Sequence, residues 1–313
     1  MAETISFNLE KIQDLRYGEN PHQKAGLYKM DNSVDFELLN GKELSFNNIA
    51  DMAAAFDIVC EFVGIDACAI IKHSNPCGVA LGENIAEAYT KALECDPISA
   101  FGGIVAFNNK VDFAVAKMMK EIFLEVIIAP DFDEKAVEYL KQKKNLRLVK
   151  VNTDILSYKQ TPLVDIKNTK FGTLIQTKED VELGKDNFKI VTKAKPDEKM
   201  IEDMLFAWKV VKHVKSNAIV VAKDKRTLGI GMGQTSRVAS MEIAVKQACD
   251  EAKDAVVASD GFFPAIDNIQ VAGQNRIAAI IQPGGSIKDA EVIKECDKYN
   301  IAMIMTGMRH FLH

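Results

Sequence analysis

The stretch ACAIIKHSNPCG, residues 67–78, holds an apolar run of strand length, Ala67 to Ile71, that stops at Lys72-His73 before a loop, SNPCG at 74–78. On its N-terminal side Ile49, Met52, Ala53, Phe56, Val59, Cys60 and Val63 recur at helical spacing, behind Asn47 and Asn48 as caps. On its C-terminal side Ile85, Ala88, Tyr89, Ala92 and Leu93 form one stripe of a second helix. Strands at 104–107, 126–129 and 146–151, with helices at 112–123 and from Asp133, continue the alternation. Short apolar strands alternating with amphipathic helices pack as an α/β layer, not as a β-sandwich.

Residues 152–195 are more polar and less periodic, and read as a connection between two halves. Beyond them the same grammar returns: a helix at 197–213, a strand at 218–222, a glycine-rich turn at 229–233, a helix at 236–252, strands at 255–258 and 277–281, a helix from Ser286 and a last strand at 301–305. SAFGG at 99–103 matches SDGFFP at 259–264, VIIAP at 126–130 matches AIIQP at 279–283, and Asn145 matches Asn300. The repeated order predicts a tandem duplication. Its parts are an N-terminal extension with the first unit (1–151), a connecting segment (152–195) and a second unit (196–313). A duplicated fold places its site where loops of both copies converge.

With 313 residues, 48% apolar and 27% charged, the chain can bury a large core under a solvated surface. The formal charge of -5 gives no global basic field for a nucleic-acid backbone, so an anionic ligand must be met by a local pocket. No apolar run approaches the ~18 residues of a membrane span. The start has no secretory pattern, so a cytoplasmic protein is expected. Six cysteines without a CxxC pair fit reduced, buried thiols.

Lys72-His73 stands where a strand ends, the place at which open α/β sheets bind ligands. An imidazole suits general-base work near neutral pH, and an adjacent ammonium can hold an anion or protonate a leaving nitrogen. The alternative is a solvated pair that only caps a strand. Phe262-Phe263 can stack on a flat ring or serve as core. The glycines at 229, 231 and 233 can let backbone N–H groups approach an anion or simply make a turn. There is no GxxxxGK[ST] cradle, and no HxE with PCxxC, which disfavours P-loop ligation and a zinc deaminase.

Nine strings in order, RYGENPHQ (16–23), LSFNNI (44–49), KHSNPCG (72–78), SAFGG, FAWKVVKHVKSNAI (206–219), GIGMGQTSR (229–237), SDGFFP, QPGGSIKD (282–289) and TGMRHF (306–311), resemble one family. It is the 5-aminoimidazole-4-carboxamide ribonucleotide (AICAR) formyltransferase family, the transformylase part of the bifunctional purine-biosynthesis enzyme that also carries an inosine monophosphate cyclohydrolase domain. The resemblance implies two tandem cytidine-deaminase-like α/β/α units without the zinc, and a homodimer with active sites at its interface. It implies formyl transfer from 10-formyltetrahydrofolate to the 5-amino group of AICAR. The family motif begins within the first twenty residues, so a stand-alone transformylase is expected, with a separate cyclohydrolase as its functional partner.

By the same resemblance the catalytic set is Lys72, His73 and Asn217. Arg16, Tyr17 and Arg309 bind the nucleotide, with both arginines on its phosphate, and Phe101, Gly102, Glu125, Arg237 and Phe311 line base and ribose. Val238, Phe262, Pro264 and Asp267 face the pterin. Asp260 is either the neighbour of a structural potassium ion, as in family members, or a packed aspartate satisfied without one. Ala265 stands where many members have an aromatic residue, and Leu312 where Arg is common. Two rival readings are a non-catalytic AICAR-binding scaffold and formylation from formate and ATP. The Lys72-His73 pair weighs against the first, and the missing nucleotide-triphosphate loop against the second.

Overall fold

The computed structural model describes residues 3–30, 33–160, 164–179, 181–184 and 187–313. Strands β1 (Glu10–Leu15) and β2 (Ala25–Lys29) pair as an antiparallel hairpin ahead of β3 (Phe36–Asn40). Then come α1 (Phe46–Val59), β4 (Asp66–Lys72), β5 (Asn75–Gly82), α2 (Ile85–Cys95), β6 (Gly103–Phe107), α3 (Phe113–Met119), β7 (Leu124–Ala129), α4 (Glu134–Leu140) and β8 (Arg147–Val151). The connecting region holds α5 (Ile155–Gln160), the hairpin of β9 (Val164–Thr169) and β10 (Gly172–Thr177), and β11 (Lys189–Ile190). The second half runs α6 (Glu198–Val211), β12 (Ile219–Lys223), β13 (Arg226–Gly231), α7 (Arg237–Ala248), β14 (Val256–Ser259), α8 (Asp267–Gln274), β15 (Ala279–Gln282), α9 (Asp289–Tyr299) and β16 (Ala302–Met305).

One mixed sheet carries the order β11-β16-β15-β14-β12-β13-β5-β4-β6-β7-β8-β3. Outward from the β13–β5 junction the pairings are the same in both directions. Each side has an antiparallel hairpin, an antiparallel neighbour, two parallel steps and an antiparallel edge strand. The junction itself is antiparallel, with Arg226 opposite Ala80. The halves are therefore related by an approximate twofold through it. Central strands such as β6 and β7 are covered on both faces, which is why they read as unbroken apolar runs. Met52 and Phe56 of α1 share one apolar layer with Met204 and Trp208 of α6. On the other face, α2, α3 and α4 cover one cluster and α7, α8 and α9 a second.

Several expectations change. The cap of α1 is Ser45, which accepts from Asn48 N–H while the Asn48 side chain returns a bond to Ser45 N–H, so Asn48 is the third helical residue and not the cap. SNPCG is no loop. His73 and Ser74 alone turn, and Asn75–Gly78 lie in β5 opposite β4. Pro76 is tolerated there because the register shifts between Ile70 and Ile71, where the missing N–H is absorbed. The glycine-rich turn is likewise mostly strand. A Cβ on Gly229 would lie 2.0 Å from Ala244 O and one on Gly231 1.9 Å from Ser240 O, so these glycines let α7 press against β13. Only Gly233, at φ +65°, needs glycine for a turn.

SAFGG and SDGFFP are not equivalent in place. The first enters β6 and the second leaves β14, at opposite ends of corresponding strands. The twofold reverses direction and brings both to one rim of the sheet, the rim that carries His73. Helix α8, with no counterpart in the sequence reading, follows SDGFFP, and β11 of the connecting region pairs with β16 as an edge strand. Cys60, Cys68, Cys77, Cys95 and Cys296 are buried, whereas Cys249 is exposed, because it caps the end of α7. No helix among the described residues is long and apolar enough to cross a membrane.

Candidate active site

Strands β4 and β5 pair down to Lys72 opposite Asn75, leaving a two-residue turn with φ 55° at His73 and 58° at Ser74. Such a turn demands positive φ at both positions, which non-glycine residues adopt at a cost. The cost is offset by Asp51 of α1. Its carboxylate accepts His73 N–H at 3.2 Å, Ser74 N–H at 2.7 Å and the Ser74 hydroxyl at 3.1 Å. His73 is exposed at the apex, and Lys72 Nζ donates to Phe101 O at 2.9 Å.

That bond ties the hairpin to a cavity of about 550 Å³ at the start of β7 and β8, lined by Arg16, Tyr17, Asn48, Phe123, Glu125 and Arg147 among others. Phe101 packs on Phe123 with ring centroids 5.3 Å apart, and Gly102 N–H donates to Phe123 O at 2.8 Å. Asn48 Nδ2 donates to Glu125 Oε2 at 2.9 Å, and Arg147 Nη1 stands 3.9 Å from the same oxygen. Two guanidinium groups and a carboxylate facing one space suit a ligand with both an anionic and a hydroxyl-bearing part.

A second group gathers around β12 and β14. Arg237, the first residue of α7, is buried against Asp260, which is fully buried. Arg237 also donates to Ser259 Oγ at 2.9 Å and to Asn217 Oδ1 at 2.7 Å. Asn217 Nδ2 donates to Gln234 O at 2.9 Å, and Ser216 Oγ to Asp260 Oδ2 at 2.5 Å. The exposed Phe311 ring and the Arg237 guanidinium both approach Gly261, since a Cβ there would be 2.7 Å from Phe311 Cε1 and 2.5 Å from Arg237 Nη2. The Arg309 guanidinium sits 4.7 Å from the centre of that ring. Lys215 N–H donates to Asn75 Oδ1 at 3.1 Å and joins this group to the His73 hairpin.

The expected residues thus fall into two linked sets on one rim: Arg16, Tyr17, Lys72, His73, Phe101, Gly102 and Glu125 in one, and Asn217, Arg237, Arg309 and Phe311 in the other. The Asn217 amide bonds within the protein, to Arg237 and Gln234, and Arg237 is held by its ion pair. Of the pterin set, Val238 is half-buried on α7, Phe262 and Pro264 are exposed, and Asp267 Oδ1 accepts from Asn268 at the start of α8. Phe263, by contrast, is core. Both Asp260 oxygens are engaged, one by Arg237 and the other by Ser216. Among the described residues no three or more His, Cys, Asp or Glu side chains form a metal-holding group.

Reading the sequence missed Asp51, Asn48 and Arg147. Asp51 had a signal: IADM at 49–52 recurs as IEDM at 201–204. Asp203, its counterpart, accepts Asp224 N–H at 3.0 Å and Lys225 N–H at 2.7 Å at the turn of the second hairpin. Asn48 reads from the sequence as a helix cap, not as a partner of Glu125, and Arg147 on β8 has no signal.

Between the ends of α1 and α6, Glu61 is buried and paired with Lys212, with His213 at 3.0 Å and Lys159 at 3.4 Å. Burial opposes its ionisation, but the His213 and Lys212 contacts outweigh it and hold the carboxyl well below the usual range.

A repeated α/β fold with a polar, cation-bearing site at one rim of its sheet defines the class. The sequence profile of the AICARFT/IMPCHase bienzyme family matches residues 1–247, and the chain belongs to that family. It is 53% identical to the bifunctional purine biosynthesis protein PurH of Caldicellulosiruptor saccharolyticus over 317 residues, 99% of this chain and 61% of that protein. Against the proteins of the same name from a Thermoanaerobacter species and Bacillus cereus, identity is 52% and 50%, again over 99% of this chain and 61% of each relative. The chain therefore spans only part of the length of these relatives.

Proposed function

We propose that this chain transfers the formyl group of 10-formyltetrahydrofolate to the 5-amino group of AICAR. The observation that supports the reading is the Lys72–Phe101 bond, which links the His73 hairpin through the Phe101–Phe123 contact to the wall of the Arg16–Glu125–Arg147 cavity. The aromatic amine of AICAR is a poor nucleophile, because its lone pair is delocalised into the ring. His73 takes the amine proton as the nitrogen attacks the formyl carbon. The carbon–N10 bond then breaks, and N10 receives a proton from the Lys72 ammonium, giving formyl-AICAR and tetrahydrofolate. A positioned base contributes ~10²–10⁴-fold, so alignment of the two reactants supplies much of the rest.

In this reading Arg16, Tyr17 and Arg309 hold the phosphate end, while Phe101, Gly102, Glu125 and Phe311 hold the base and ribose. Asn217 and Arg237 act as a braced pair that orients the reacting groups. Val238, Phe262, Pro264 and Asp267 meet the pterin. The two halves, 1–151 and 196–313 about the 152–195 connection, are cytidine-deaminase-like units, and the protein works in the cytoplasm as a homodimer whose sites combine both sets of residues. A cyclohydrolase activity consumes the product. The test is purified protein with AICAR and either 10-formyltetrahydrofolate or formate plus ATP, beside His73→Ala. Turnover with the folate donor, lost in the variant, is expected. Turnover only with formate and ATP, AICAR binding without turnover, or an unimpaired variant overturns the reading.

A further inference from the structure

The two halves carry the same hairpin brace, yet only one hairpin presents an imidazole. Asp51 and Asp203 sit at matching places on α1 and α6, and each accepts both backbone N–H groups of a two-residue turn. Both turns have positive φ at both residues: 55° and 58° at His73-Ser74, and 53° and 54° at Asp224-Lys225. The hairpins close alike, with Lys72 opposite Asn75 and Lys223 opposite Arg226. Aspartate is among the residues such turns favour, as in the second copy, whereas His-Ser lacks the usual Asn or Gly. The first turn thus depends on its brace more, and there Asp51 adds a bond from the Ser74 hydroxyl.

We infer that Asp51 is a positioning residue for His73: its carboxylate fixes the turn from which the imidazole projects, and so sets where the base meets the substrate amine. This rests on the proposed role of His73. The Asp51 carboxylate accepts from the turn. An amide in its place fails on geometry, because one carboxylate oxygen serves Ser74 and the other serves His73. An asparagine offers one acceptor and must point its NH₂ at one of these donors.

Nature has supplied the control in the second copy, and the test compares Asp51→Asn, Asp51→Glu and Asp203→Asn in the full chain. Both asparagine variants are expected to lose thermal stability, Asp51→Asn more than Asp203→Asn because its turn leans harder on the brace. Asp51→Asn alone is expected to lower kcat, by about 10-fold to 100-fold, the scale of a reacting group displaced by ~1 Å. KM for AICAR stays within about twofold in this variant, because phosphate contacts are untouched. Asp51→Glu, which restores two acceptor oxygens, recovers part of the lost kcat. Independently of turnover, ring-labelled His73 is expected to shift and broaden in the NMR spectrum of Asp51→Asn but not of Asp203→Asn. If Asp51→Asn leaves both the His73 resonance and kcat as in the unmodified protein, or if Asp203→Asn lowers kcat equally, the inference fails. If the unmodified protein transfers no formyl group, the functional reading falls instead, and the His73 resonance still decides whether Asp51 holds the ring.

Discussion

Arg237 and Asp260 form an ion pair in the interior, 6% and 0% exposed, and each is tied down by a neighbour, Asn217 for the guanidinium and Ser216 for the carboxylate. Asp260→Asn keeps the shape and removes the charge, leaving a buried guanidinium uncompensated. We expect a loss of about 3–5 kcal/mol in urea unfolding. Replacing both partners with apolar residues should cost less than that single change. A single-variant loss below ~1 kcal/mol would contradict the pairing.

Glu61 makes stability depend on acid. Its carboxyl is held below the ordinary range in the folded chain, so its contribution is fully present above the unfolded value, ~4.3, and is lost as pH falls toward the folded one. The melting temperature should therefore drop below about pH 4.3, and Glu61→Gln should flatten that part of the profile while lowering stability at pH 7. A parallel shift of the whole curve would show that Glu61 is not the titrating group.

Arg147 lines the cavity with Arg16, and its Nε donates to Glu43 O at 3.1 Å, which fixes the side chain in place. If it meets the anionic part of AICAR before and during reaction alike, Arg147→Met should raise KM by about tenfold to a hundredfold with kcat nearly unchanged, the worth of a charge-assisted hydrogen bond. Steady-state kinetics with AICAR varied separates this from a loss of kcat.

Gly229 and Gly78 hold corresponding positions, and a Cβ on either would lie 2.0 Å from a helix carbonyl, Ala244 O or Ala92 O. Neither contact can relax by moving a side chain. Each Ala substitution should cost about 1–3 kcal/mol, and the two should cost nearly the same. Chemical denaturation of the pair checks this; a neutral Gly229→Ala would place α7 farther from β13.

Burial pushes the thiols of Cys77, Cys95 and Cys296 up to about 12, whereas Cys249 is solvent-exposed. A thiol reagent at neutral pH should modify Cys249 rapidly and the buried thiols only on unfolding. Rapid labelling that survives Cys249→Ser would count against the described core.

The strands that the sequence revealed best, β7 and β15 among them, are buried on both faces, so their composition alone marked them. Lys72-His73 was visible because a strand visibly ended there. What escaped has a common cause in partners far along the chain. Gly229 looked like a turn because nothing local says that Ala244 will press on it, and SNPCG looked like a loop because Pro76 is tolerated only through an irregularity in β4. Helix α8 is short, with a buried stripe of little more than Ile269 and Ala272, too little for its period to stand out. Asp51 could be seen only by laying IADM against IEDM.

The apolar layer shared by α1 and α6 makes the two copies mutual dependents. Phe56 and Trp208 bury themselves in the same oil, so a cut within 152–195 would leave each fragment with half an interior open to solvent. Each half thus completes its interior with the other, and neither is expected to fold when expressed without its twin.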